Sequence, residues 1–341
     1  MFESLPWLAP SGDREAPLLP TPAVAPSPRR PSIGLALGGG AARGFAHIGA
    51  LKVLREAGYE PDVIAGTSIG AVVGGCYLAG KLDELEAWAR ALTRRRVLGM
   101  LDFSLGGSGL ICGSRLVQAL ARDIGDITIE QLPKPFAAIA TEIGPGHEIW
   151  LTKGSLVMAM RASLSLPGIF EPVRMNGRWL MDGALVNPVP VSTARALGAR
   201  AVIAVNLNGE LTGRGSVIHN FDALVSDEPE LPRRRRSGVA ALGAATSLVR
   251  RQLGFGSAVS ASRSAPRSPG ISSVMLEAFN ITQDRISRSR LAGDPPDVSI
   301  APRIGRIGPF EFQKAGEIID AGAEAALRSL ESIKEAVEAL A

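Results

Sequence analysis

Two glycine-rich turns, each set between a short apolar strand and a helical stretch, restrict this chain more than anything else in it. The first follows Ile33-Gly34-Leu35-Ala36-Leu37 and reads Gly38-Gly39-Gly40-Ala41-Ala42-Arg43-Gly44; the second, Gly66-Thr67-Ser68-Ile69-Gly70, separates an apolar strand over 61–65 from a helix over 71–78. A Gly-x-Ser-x-Gly pentapeptide in a strand-to-helix turn is a nucleophile elbow: small flanking residues permit a strained turn, and the serine hydroxyl projects from the sheet edge. The first loop supplies what such a serine needs next, backbone N–H groups that a developing oxyanion can approach, typically worth ~3–4 kcal/mol each in the transition state. They sit at the start of a helix expected over 41–57, whose dipole favours negative charge.

Alternation extends beyond these turns. Strands are expected over 33–37, 62–65 and 201–206 and helices over 42–57, 69–78 and 82–93, which demands a parallel sheet with helices on its faces. Residues 99–113 read as loop. A helix follows over 114–122, then a strand pair over 136–142 and 148–152, a helix over 156–163, a strand over 178–181 and a helix over 191–197. Residues 1–31, rich in Pro, Ala and Ser without apolar periodicity, read as a disordered leader. The catalytic domain is expected over 32–208, an irregular arginine-rich segment over 209–271, and a helix–strand–helix that completes the domain over 272–341.

Composition removes several function classes. Only Cys76 and Cys112 are present, neither in a Cys-x-x-Cys or Cys/His cluster, so neither a disulfide framework nor a zinc site is indicated. No apolar run reaches the ~18–20 residues of a spanning helix, and the first residues lack the charged start and apolar centre of a secretory signal; a cytoplasmic protein is expected. A net charge of +4 is too modest to imply nucleic-acid binding. Oligomeric state is not legible.

Ser68 needs a general base, and the chain can be searched for one. The histidines are His47, His147 and His219; of these only His219 follows Asp182, as the hydrolase order serine, acid, histidine requires, and it lies in an irregular stretch. Ser-x-x-Lys is absent. What remains is a carboxylate, and Asp182-Gly183-Ala184, at the end of a strand and followed by Asn187-Pro188, is the best placed.

The glycine loop with Arg43, Gly-x-Ser-x-Gly and Asp182-Gly183-Ala184 together resemble the patatin-like phospholipase family, over about residues 32–206. The likeness is strongest to bacterial single-domain members of RssA type, through Arg161-Ala162-Ser163, Pro167-Gly168-Ile169-Phe170 and Met181-Asp182-Gly183-Ala184-Leu185-Val186-Asn187-Pro188. The resemblance implies an α/β, three-layer patatin-like fold with a mainly parallel central sheet and helices on both faces. It also implies a Ser68–Asp182 dyad, an oxyanion hole at Gly38, Gly39 and Gly40 that Arg43 helps to shape, and hydrolysis of lipid acyl esters such as phospholipids or lysophospholipids without a metal or other cofactor. The family's middle loop glycine falls on Ala41, which keeps its N–H if its φ admits a side chain.

Competing readings are weaker. A dinucleotide fingerprint starting at Gly38 would need glycine where Arg43 stands, and the phosphate-loop lookalike from Gly75 ends in Leu82, where Ser or Thr belongs. His47 reads as helix packing and Pro167-Gly168 as turn chemistry or an acyl-pocket loop. Residues 233–276 contain no acid, and Arg233–Arg236, Arg250 and Arg251 flank an apolar helical period; a peripheral contact of Arg233–Arg251 with anionic membrane stands there against a solvated loop. A non-catalytic adapter that retains the fold is the rival from another class.

Overall fold

The computed structural model describes residues 30–100, 109–111, 114–209 and 271–341. The leader, Cys112, His219 and the arginine segment with Arg233–Arg251 lie outside the described residues. In chain order the elements are β1 (Ile33–Leu37), α1 (Ala46–Glu56), β2 (Val63–Thr67), α2 (Ile69–Leu78), α3 (Leu82–Arg90), α4 (Arg94–Met100), β3 (Gly109–Ile111), α5 (Ser114–Ile124), β4 (Phe136–Glu142), β5 (Glu148–Leu151), α6 (Leu156–Ser163), β6 (Gly168–Phe170), β7 (Val173–Met175), β8 (Arg178–Asp182), α7 (Val191–Ala196), β9 (Ala201–Val205), α8 (Ile271–Gly293), β10 (Val298–Ile300) and α9 (Ala315–Ala339).

The main sheet runs β10-β9-β1-β2-β4-β8-β7, with β5 also on β4. Pairings from β10 through β4 are parallel, while β5, β7 and β8 pair antiparallel. Strands buried on both faces read as near-continuous apolar runs, and every residue of β1, β2 and β9 is buried. Alternation across β1 sorts the two outer layers. Leu35 and Leu37 join the core shared with α1, α2, α6 and α9, whereas Ala36 joins Val63, Ala65, Val202 and Ala204 beneath α7. The result is a three-layer α/β fold.

Helices α1 and α9 cross at glycines. A Cβ on Gly49 would strike the Ile319 carbonyl, and one on Gly322 the Ala46 carbonyl, so this backbone approach tolerates no side chain. The C-terminal helix is thereby pressed onto the helix that follows the glycine loop.

Several boundaries differ from expectation, each for a local reason. The helix expected over 41–57 opens as a 3-10 segment, Ala41–Phe45, in which the Arg43 N–H donates to Gly40 O (3.2 Å) and the Ala42 N–H, unpaired within any helix starting here, to Pro309 O (2.9 Å). The helix expected over 82–93 stops at Arg90, and Thr93 accepts from the Arg96 N–H (3.3 Å), capping a separate helix α4. Strands β3 and β6, unexpected within apparent loops, exist through pairing with each other: Gly109 faces Gly168, and Ile111 faces Phe170. Three residues each are too few to carry a periodic signal.

Candidate active site

The sheet brings Ser68 and Asp182 together by register. Strand β5 occupies one edge of β4, with Ala138 opposite Leu151 and Thr141 opposite Glu148. Strands β2 and β8 therefore share the other edge, approaching from opposite directions. The last residue of β2, Thr67, pairs with Ile139, and the last of β8, Asp182, pairs with the next residue, Ala140. Ser68 follows Thr67 at this head-to-head junction.

The elbow is strained as its sequence requires. Ser68 has φ 56° and ψ −124°, a conformation that side chains rarely adopt. Its neighbours are glycine for space: a Cβ on Gly66 would sit 2.6 Å from Ala71 Cα, and one on Gly70 would strike the Leu37 carbonyl. The Ser68 N–H donates to Ser163 Oγ (2.8 Å), which donates in turn to Ile139 O (2.5 Å). This brace ties the strained residue to β4 through α6.

Asp182 faces the serine from inside the protein. The Ser68 hydroxyl donates to Asp182 Oδ2 (2.6 Å), and the Ala184 N–H donates to Oδ1 (2.8 Å). The backbone is held as well: Asp182 N–H donates to Ser165 O (2.9 Å), and Thr141 Oγ1 donates to Asp182 O (2.8 Å). Asp182 is 2% exposed and Ser68 6%. Among the described residues no cation pairs with the carboxylate, so loss of water dominates and pushes its pKa up to about 7, against the two hydrogen bonds that favour the anion. A base titrating near neutrality, in contact with the hydroxyl it would deprotonate, suits general-base work.

Two of the three glycine-loop amides expected at an oxyanion hole are engaged by backbone carbonyls. The Gly38 N–H already donates to Val205 O (3.1 Å), and the Gly39 N–H to Pro188 O (3.0 Å). Among the described residues no carbonyl accepts from the Gly40 or Ala41 N–H. The open donors are thus shifted along the loop, and Ala41 adopts φ 51°, keeping its amide at the cost of strain. Gly39 contributes space instead. The point where its Cβ would lie is 3.5 Å from Ser68 Cβ, 3.4 Å from Ala184 Cβ and 2.9 Å from Gln283 Nε2.

The remaining sequence candidates take supporting places. Arg43 Nε donates to Ile307 O (2.7 Å), anchoring the loop to the segment before α9. His47 is fully buried and shares a hydrogen bond with Gly38 O (2.7 Å). A carbonyl can only accept, so Nε2 carries the proton; burial lowers the imidazole pKa to about 4 and keeps it neutral. His147 is exposed beside Glu142. Pro167-Gly168 forms the step from a turn into β6, braced by Arg161, whose guanidinium donates to Ser165 Oγ (2.7 Å) and Glu171 O (2.9 Å) and lies over the Phe170 ring (5.2 Å). Thr67 Oγ1 donates to Asn187 O (2.7 Å), joining the elbow to the loop after Asp182. Sequence reasoning did not single out Ser163 as the brace, nor Thr141 or Gln283. Ser163 stood inside the quoted Arg161-Ala162-Ser163 motif, while Gln283 carried no signal.

Comparison with known proteins identifies relatives of the chain. Residues 35–195 match the family described as patatin-like phospholipase. An uncharacterized NTE family protein of Mycobacterium tuberculosis is 35% identical over 338 residues, covering 89% of this chain and 92% of that protein. Human patatin-like phospholipase domain-containing protein 6 is 35% identical over 187 residues, 52% of this chain and 14% of its own length. Lysophospholipase nte1 of Emericella nidulans is 28% identical over 297 residues, 85% of this chain and 18% of that protein. With a relative of that identity matched over nearly its whole length, the chain belongs to the patatin-like phospholipase family, among its NTE family proteins.

Proposed function

We propose that this protein is a serine acyl hydrolase that cleaves fatty-acyl ester bonds of lipids, phospholipids or lysophospholipids, through Ser68 and Asp182. Family membership supports lipid hydrolase activity in general; the observation that carries the specific reading is the buried 2.6 Å hydrogen bond from Ser68 Oγ to Asp182 Oδ2. As Oγ attacks the ester carbonyl carbon, its proton passes to Asp182, and the carbonyl electron pair moves onto oxygen, which the Gly40 and Ala41 N–H groups stabilise. Collapse expels the alcohol with the proton from Asp182 and leaves an acyl-serine. Asp182 then deprotonates a water that releases the fatty acid and restores the serine.

The relative named as a lysophospholipase makes lysophospholipid the first substrate to try. The test is mass labelling with a fluorophosphonate probe. Adduct on Ser68 that vanishes in Ser68→Ala and falls sharply in Asp182→Asn supports the dyad; no adduct on the folded parent protein moves the adapter reading ahead.

A further inference from the structure

Helix α8 reaches the site from a part of the chain that the two glycine motifs do not touch. Its side chain at 283 is a glutamine, 5% exposed, and no hydrogen bond joins its amide to another described residue. The amide atoms are not among the sealed, unpartnered ones, so the group keeps access to whatever enters the space beside it. Gln283 Nε2 lies 2.9 Å from the point that a Gly39 Cβ would occupy, the same point that is 3.5 Å from Ser68 Cβ. Glycine at 39 thus leaves open the small space between the nucleophile and this amide. The helix itself is placed by α8 contacts with the 3-10 turn Gly183–Leu185 that follows Asp182, and by Arg290, which pairs with Glu148 of β5 (2.8 Å).

We propose, building on Ser68 as nucleophile, that Gln283 is a further catalytic residue: its side-chain N–H completes the oxyanion hole begun by the Gly40 and Ala41 amides. When Ser68 Oγ bonds to the carbonyl carbon, the carbonyl π pair becomes a full charge on oxygen. Gln283 donates a hydrogen bond to that charge and transfers no proton. A neutral amide is the right group here. A cation would favour ionised Asp182 in the resting state, whereas a carboxylate would oppose the oxyanion.

The test compares Gln283→Ala and Gln283→Glu with the parent chain on a short-chain p-nitrophenyl ester, and measures binding of a trifluoromethyl ketone, whose hemiketal adduct with serine mimics the oxyanion. Removing one such donor lowers kcat on the order of 100-fold with KM little changed. The glutamate variant, equal in size, is expected to lose at least as much, and the ketone to weaken by the same factor as kcat/KM. Thermal melts of all three chains should coincide.

Unchanged kcat in Gln283→Ala overturns the inference, and so does an increase, which would make the side chain a plug rather than a donor. A change confined to KM, or a loss that follows a lowered melting temperature while glutamate retains activity, also overturns it. Failure of the parent chain to label or turn over would instead bring down the reading of Ser68 itself.

Discussion

Asp182→Asn should cost activity and add stability, and the amount can be worked from burial. A carboxyl whose pKa is held at about 7 in the folded protein, against 3.8 ordinarily, keeps a proton that the unfolded chain has released. Stability is therefore lost as pH rises from about 4 to about 7 and is level above. At about 1.4 kcal/mol per pH unit this amounts to about 4 kcal/mol. His47 works in the opposite sense: its pKa falls from 6.5 to about 4 on burial, so stability is lost as pH drops through that window, by about 3 kcal/mol. The two windows overlap and largely cancel, so the parent protein's own pH profile conceals both. Asparagine removes the first effect alone. Urea unfolding followed by circular dichroism should give variant and parent similar stability near pH 4, with the variant pulling ahead by up to about 4 kcal/mol near pH 8, while esterase activity falls by about 10²–10⁴. A stability difference that does not grow with pH would refute the argument that Asp182 is desolvated.

Three further outcomes follow from the same geometry. In the parent, kcat/KM should rise with pH through a midpoint near 7 as Asp182 ionises, and a rate level across that range would exclude it as the base. Ser163→Ala leaves the Ser68 N–H without its acceptor and should destabilise by about 1–3 kcal/mol while lowering kcat; unaltered unfolding and turnover would show that the brace is idle. Ala41→Gly relieves a side chain at φ 51° and should stabilise by about 1 kcal/mol in the same urea assay, so a loss of stability would mean that the Ala41 methyl packs usefully.

The parts of the fold legible in the sequence were those with long apolar runs and unambiguous punctuation. Strands β1, β4 and β9 and helices α2 and α6 stood out because both faces of a buried parallel strand are apolar and because glycine marks the elbow. Strands β3 and β6 did not, since each consists of three residues and owes its conformation to the other. Within the candidate site, the meeting of Ser68 and Asp182 was legible because the chemistry proposed for them needs named residue types at strand ends. Which loop amides are open was not. That depends on where Val205 and Pro188, far along the chain, place their carbonyls. Gln283 was hidden for a similar reason: an amide on a helix announces nothing until the helix is laid across Gly39.

The head-to-head meeting of β2 and β8 on one edge of β4 means that the separation of Ser68 and Asp182 is stepped rather than continuous. A one-residue slip of either strand would move its end by about 3.3 Å and turn its side chains to the opposite face, so intermediate spacings are not available through the sheet. Fine adjustment of the 2.6 Å contact falls to side-chain torsions and to the Ser163 brace. Substitutions that retune this centre should therefore cluster in α6 and in the turn after Asp182, while β4 between them behaves as a fixed ruler.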